Sequence, residues 1–332
     1  MRLIDRYRGL VRSTPRVVSL LPSATELLCE IGAADLLVGR SHECDEPRGI
    51  RDRPVLTGQR TSGGSSASID AEVRASLAAG ESLYRLDAER LRELRPDVIL
   101  TQDLCEVCSI DLRTVERVAR GLPKVPRVVN LNPTTVWQVL DDLLAVGEAV
   151  GRAPAAQAAA TALRDRLWTA AERAVPFTDG PSVLFLEWTD PPFVGGHWTP
   201  ELIEMAGGRH PLNRAGAKSR VATAEEIASS APERVVVCPC GYPLAAVREA
   251  VRALDGQDWW ESLEPVRTAR ADAARGRTSD RVVLVDGNQM FNRPGPRLVD
   301  AMEWLVGWIG DRRETIPDEF PAEPWQPARA TA

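Results

Sequence analysis

Brief apolar runs alternate along this chain with longer segments of helical spacing. Arg16–Leu20 reads as a buried strand, after which Pro22 and the capping box Ser23-Ala-Thr-Glu26 open a helix through Leu27, Leu28 and Ile31 that stops at Gly32. Residues 36–40 and 53–56 read as further short strands. The Ser- and Gly-rich segment 61–66 reads as a flexible loop ahead of a helix over 69–79. Asp87 caps a helix to Leu94, Pro96 breaks it, and 97–101 returns as a buried strand; a helix over 111–120 and a strand over 127–131 follow. Short apolar strands separated by helices predict parallel pairing, and hence a first α/β lobe over 1–133.

Residues 134–175 are almost entirely helix-forming, with Val136, Leu140, Leu143, Leu144 and Val146 at helical spacing and a bend marked by Gly151 and Pro154. If continuous, such a connector spans roughly 60 Å. The strand and helix rhythm then resumes over 176–312. Strands are predicted at 182–186, 234–238 and 281–285, and helices at 200–206, 223–229, 244–254 and 296–309. The fold expected is α/β: two lobes, each with a mostly parallel sheet flanked by helices, joined by a long backbone helix, with a ligand cleft between the lobes. Residues 313–332 are rich in Pro and Glu without periodicity and are expected to form a disordered tail.

The composition, 44% hydrophobic and 27% charged with a net charge of -6, supports large cores. Positive charge is nearly all Arg, and no long basic run occurs. With a pI near 5.4, this argues against nucleic acid and anionic membrane as partners. Asp5, Arg6, Arg8 and Arg12 interrupt the N-terminal stretch, so a cytoplasmic location is expected. In a reducing compartment the six cysteines read first as thiols or metal ligands.

Ligands of open α/β sheets bind beyond the carboxyl ends of the strands, which selects a few loops. Cys105 and Cys108 can reach one ion from a single turn, and Cys44 follows another strand. Zinc would need a fourth ligand such as His42, Cys238 or Cys240, whereas an iron–sulfur cluster could leave one iron open. The plainer alternative is that a lone CxxC is packing or a redox pair. Cys29 lies on an apolar helix face and belongs to the core, and Cys238-Pro-Cys240-Gly241 also describes an ordinary tight turn. Ser41-His42-Glu43 cannot form a catalytic triad, because consecutive residues of extended chain point to opposite sides. His42 instead reads as a ligand or donor, or as structural. Trp188, His197, Trp198, Tyr242 and Phe291 could line a site for a flat ligand or simply fill core; Asn292 and Arg293 could hold a polar substituent.

These residues also carry a resemblance. Arg16-Val-Val-Ser-Leu-Leu-Pro-Ser-Ala-Thr-Glu26, Leu94-Arg-Pro-Asp-Val-Ile-Leu100 and the long middle helix resemble the cobalamin-binding and iron-siderophore-binding proteins of ABC importers. A cytoplasmic-looking branch labelled cobalamin-binding is similar in Ser41–Asp45, Thr101–Cys108, Gly196-His-Trp198 and Phe291–Pro296. The resemblance implies a class III periplasmic-binding-protein fold that binds and delivers rather than catalyses, with an ABC permease as partner. A corrinoid or another small metal-chelate ligand would then meet Pro22, Ser23, His42 and Gln59 from the first lobe. From the second it would meet Trp188, His197, Trp198, Phe291, Asn292 and Arg293. The alternative is a metalloenzyme on the same scaffold, in which Cys44, Cys105 and Cys108 hold zinc or an iron–sulfur cluster and His42, Glu43 or Glu106 moves protons.

Overall fold

A computed structural model describes residues 14–60, 64–79, 82–103, 110–174 and 180–327. The chain forms two compact units. One gathers the chain up to Arg60, Ser82–Asn132 and Asp142–Ala159; the other takes Thr61–Glu81, Pro133–Asp141 and Ala160 onward.

In lobe one the elements are β1 (Val17–Ser19), α1 (Pro22–Glu30), β2 (Leu37–Arg40) and β3 (Thr57–Gln59). After α2 (Ser66–Ala78), which belongs to lobe two, come β4 (Tyr84–Leu86), α3 (Ala88–Leu94), β5 (Val98–Thr101), α4 (Leu112–Arg120) and β6 (Arg127–Asn130). The main sheet has the order β2-β1-β5-β6 and every pairing is parallel, while β3 and β4 form a separate antiparallel pair. Val17, Val18, Ile99 and Leu100 are buried, as continuous apolar runs covered on both faces should be.

Local chemistry explains the element ends. Asp87 and Asp111 cap α3 and α4 by accepting the amides of Arg90 and Thr114, each at 2.8 Å. Arg95 closes α3 in the left-handed conformation, and Asp97 accepts the amide of Arg16 at 2.9 Å, so the Leu94-Arg-Pro-Asp97 motif ties the start of β1 to the end of a helix. The capping box expected at Ser23 is corrected. Helix α1 begins one residue earlier with Pro22 in its first turn, where a missing N–H costs nothing, and Ser23 is turned into the core at 3% exposure.

The middle helical region is two helices, α5 (Val136–Ala149) and α6 (Ala153–Arg173). At the bend marked by Gly151 the backbone turns left-handed, with φ 72°, and the Arg152 amide returns to the Gly147 carbonyl at 2.7 Å, which ends the first helix. A Cβ on Gly147 would lie 2.2 Å from that of Ala156, so the close crossing of the two helices requires glycine there. The long helical connector is therefore two helices that meet at the bend expected at Gly151.

Lobe two contains β7 (Val183–Thr189), β8 (Pro192–Val194), α7 (Thr199–Met205), β9 (Arg220–Val221), α8 (Ala224–Ser229) and β10 (Arg234–Val237). Then follow α9 (Leu244–Arg252), α10 (Asp258–Glu261), α11 (Glu264–Ala274), β11 (Val282–Val285), α12 (Leu298–Ile309) and β12 (Ala322–Pro324). The sheet order is β12-β11-β10-β7-β8-β9. Its central strands β11, β10 and β7 are parallel, and β8, β9 and β12 add to it antiparallel. Only Asp190 and Pro191 separate β7 from β8, and so short a connection allows no crossover.

The disordered tail expected over 313–332 is also corrected within the described residues. β12 adds to β11, Glu323 takes both arms of the Arg248 guanidinium at 2.6 Å, and Trp325 is 6% exposed against Trp260 with Arg270 over its ring. One tryptophan and one paired glutamate outweigh the polar composition, because a buried indole repays the ordering of a short segment. Among the described residues no helix is long and apolar enough to cross a membrane.

Candidate functional site

In lobe one the loop after β2 carries the chemistry. Arg40 pins it by donating to the carbonyls of Ser41 at 3.1 Å and Cys44 at 2.9 Å. Across the loop, Thr57 Oγ1 lies 2.8 Å from His42 Nδ1, accepts the His42 amide at 3.1 Å, and donates to Ser41 Oγ at 2.9 Å. The imidazole lies 5.8 Å from the Tyr84 ring, whose hydroxyl donates to Glu43 at 3.3 Å. His42 Nε2 is buried and has no hydrogen-bond partner. Burial, ahead of the nearby Arg40 charge, pulls the imidazole below its ordinary pKa, which favours the neutral ring. Pro22 is half-buried at the end of β1, and Gln59 is exposed on β3. Ser23, buried inside α1, is not available to a ligand, and this corrects its place among the binding residues.

Cys44 is fully buried and its sulfur accepts the Thr25 hydroxyl at 3.0 Å. Cys105, Glu106 and Cys108 lie outside the described residues. Among the described residues no three Cys, His, Asp or Glu side chains gather as a metal site. Cys238 is fully buried, and burial, with Glu187 adding to it, holds its thiol well above the ordinary value. The Cys238 carbonyl accepts the Asn292 side-chain amide at 3.0 Å, and Cys240 beside it is half-buried.

Lobe two presents the ends of β7, β10 and β11 and the β8 loop. Trp188 is half-buried and meets Tyr242 edge to face at 5.0 Å. Its indole N–H donates to the Ser66 carbonyl at 3.2 Å, and Thr189 donates to Ser66 Oγ at 2.9 Å, which fastens the start of α2. The Asn288 amide donates to the Tyr242 carbonyl, and Arg293 donates to Asn288 Oδ1 at 2.9 Å, so Trp188, Tyr242, Asn288 and Arg293 form one linked cluster.

Two aromatics and one amide expected to face the ligand are scaffold instead. Phe291, 1% exposed, packs between Phe185 at 5.0 Å and Trp304 at 6.0 Å. Trp198 is 5% exposed with its N–H bonded to the Phe291 carbonyl. Asn292 spends its amide N–H groups on the carbonyls of Cys238 and Gly287, both at 3.0 Å, locking two strand-end loops together. His197 and Phe291 both adopt positive φ, 52° and 57°.

His197 stays near the surface of the site, half-buried, with Nε2 unpartnered and its pKa lowered by burial and then by Lys218. Gly196 beside it lies against the backbone of 217–219, where a Cβ would come within 2.3 Å of the Ser219 nitrogen. Glu187 accepts the Ser219 hydroxyl and the Gly196 amide, yet burial raises its carboxyl above the ordinary range. Thr57, Tyr84 and Ser219 were not among the residues singled out from sequence; each acts only through a partner distant in the chain.

Residues 17–270 match the model of a family described as periplasmic binding protein, and the chain belongs to that family. Among solved structures, the periplasmic vitamin B12 binding protein BtuF of Vibrio cholerae aligns at 19% identity and TM-score 0.63, covering 90% of this chain and 98% of its own. The periplasmic heme-binding protein RhuT from Roseiflexus sp. RS-1 aligns at 21% and 0.65 over 90% and 98%. A periplasmic heme binding protein from Pseudomonas aeruginosa aligns at 21% and 0.65 over 94% and 95%. The fold is thus that of the class III periplasmic binding proteins. No curated protein matches at a significant level.

Proposed function

We propose that this protein binds a metal–tetrapyrrole chelate, a corrinoid in first place and heme in second, at its strand-end loops, and passes it on unchanged. An ABC permease is the receiving partner in this reading. The observation that carries the proposal is the cluster of Trp188, Tyr242, Asn288 and Arg293. It combines a half-buried aromatic pair, suited to a flat apolar face, with the half-buried Asn288 amide, suited to a carboxamide arm at the edge of such a macrocycle and held by Arg293, itself 8% exposed. Membership of the family supports it, and the vitamin B12-binding and heme-binding structural neighbours support the choice of ligand class.

The test is gel filtration of the protein mixed with hydroxocobalamin or with hemin, followed by absorbance. Chelate bands eluting with the protein, and largely lost in Trp188→Ala, are expected. Elution of both chelates separate from a folded protein would overturn the proposal.

A further inference from the structure

We infer that lobe two carries a second ligand site, at the end of its sheet opposite the strand-end loops, which takes a small organic monocarboxylate with an apolar body. This site shares no residue with the proposed chelate site and does not depend on it.

Strand direction separates the two places. β10 and β11 run parallel, and the loops beyond their carboxyl ends carry Tyr242 and Asn288. At their amino ends, residues 231–233 and Arg281 border a cavity of about 600 Å³, whose remaining walls are the end of α8 and the start of α11. β10 is four residues long, so roughly 13 Å of strand lies between the cavity and those loops. A volume of this size is ordinary for a pocket that holds a small organic molecule.

The cavity is bordered by two guanidiniums that no carboxylate occupies. Arg267, in the first turn of α11, donates to the Ser262 carbonyl, and Arg281 Nη1 donates to the Glu233 carbonyl at 3.3 Å. Among the described residues neither forms an ion pair, whereas Arg248, Arg270 and Arg277 of the same lobe are each held by carboxylates. A guanidinium has five N–H donors in a fork that matches a carboxylate, so each keeps donors for a ligand.

Two carboxylates also border the cavity, and they set the charge of the ligand. Glu233 is already matched, accepting the Ser182 amide at 3.1 Å and lying 3.6 Å from Arg209. Glu264 accepts the Thr268 hydroxyl at 2.8 Å and has no cation beside it among the described residues. Arg267 and Arg281 against Glu264 leave a net charge of about +1, which suits a monoanion better than a dianion such as phosphate. Pro232 and Leu263 supply apolar wall for the body of the molecule.

Octanoate, titrated below its micellar concentration by isothermal calorimetry, is the probe. Saturable binding is expected. Octanol, which keeps the chain without the charge, and inorganic phosphate, which has charge without the chain, should each bind at least about tenfold more weakly. Arg267→Gln and Arg281→Gln should each weaken octanoate by about tenfold or more, the loss of a hydrogen bond to a charged group. Trp188→Ala should leave octanoate binding unchanged. The absence of saturable binding to the folded wild type, octanol or phosphate binding as tightly as octanoate, or an affinity unchanged in either arginine variant would overturn the inference. Weakening by Trp188→Ala would also overturn it, by placing octanoate at the strand-end loops. Chelate uptake, measured separately, stands or falls independently of these outcomes, and circular dichroism of each variant checks the fold.

Discussion

The indole N–H of Trp198 donates to the main-chain carbonyl of Phe291 at 2.7 Å, joining the β8 loop to the loop after β11. Because Phe291 sits at φ 57°, a conformation that side chains other than glycine seldom adopt, this bond helps to hold a strained turn. Trp198→Phe keeps most of the volume but strands a buried carbonyl. It should lower the unfolding free energy by about 1–3 kcal/mol in urea titration. Chelate affinity should change less than in Trp188→Ala; the reverse order would show that Trp198 faces the ligand.

The C-terminal segment makes a second prediction. Trp325 packs on Trp260 with ring centroids 5.5 Å apart and lies under the Arg270 guanidinium at 5.1 Å. Trp325→Ala should therefore cost about 3–5 kcal/mol, and amide exchange along β11 should speed up as β12 detaches. A change within about 0.5 kcal/mol, the range of ordinary surface substitutions, would mean that the segment is not part of the core.

Asp97 gives a pH signature. The Lys124 ammonium, together with the Arg16 amide, holds its carboxyl below the ordinary aspartate value. A depressed folded pKa contributes stability that is present above the ordinary aspartate range and is lost as pH falls through the folded value. Lys124 is largely exposed, so screening limits the pair to about 1 kcal/mol. Asp97→Asn should destabilise at pH 7 and converge on the wild type near pH 2, read from urea midpoints. Equal loss at both pH values would assign the effect to packing.

Glu187 predicts the opposite slope. Burial raises its carboxyl, so the folded state holds the proton more tightly, and the favourable protonated form is lost as pH rises from the ordinary glutamate range through the raised value. Glu187→Gln keeps an acceptor for Ser219 and Gly196 but cannot ionise. Relative to the wild type it should gain stability as pH rises from the ordinary glutamate range through the raised folded value. A difference that does not grow at all above the ordinary glutamate range would show that Glu187 ionises without penalty.

Much of this architecture could be read along the chain. The parallel strands β1, β5, β10 and β11 are continuous apolar runs, and Asp87, Asp111 and Thr223 announce the helices that they cap. What escaped depends on distant partners. β8, β9 and β12 are two or three residues long and exist because β7, β8 and β11 in turn offer them an edge, and α11 buries little more than Pro265, Val266 and Ala269. The site divides in the same way. Its loops follow from strand ends, but whether an aromatic within them is wall or core depends on partners distant in the chain, as Trp188 beside Tyr242 and Phe291 between Phe185 and Trp304 show. His42 stood out by residue type; its hydrogen-bond partner Thr57 lies fifteen positions away.

The central claim is that the strand-end cluster around Trp188 takes up a metal–tetrapyrrole. Equilibrium dialysis of purified protein against hydroxocobalamin, with hemin in a parallel cell, measures it most directly. Saturable uptake of at least one chelate, with affinity about tenfold weaker in a folded Trp188→Ala variant, is the predicted result. Uptake of neither chelate by the folded wild-type protein, or saturable uptake unchanged by loss of Trp188, would contradict it.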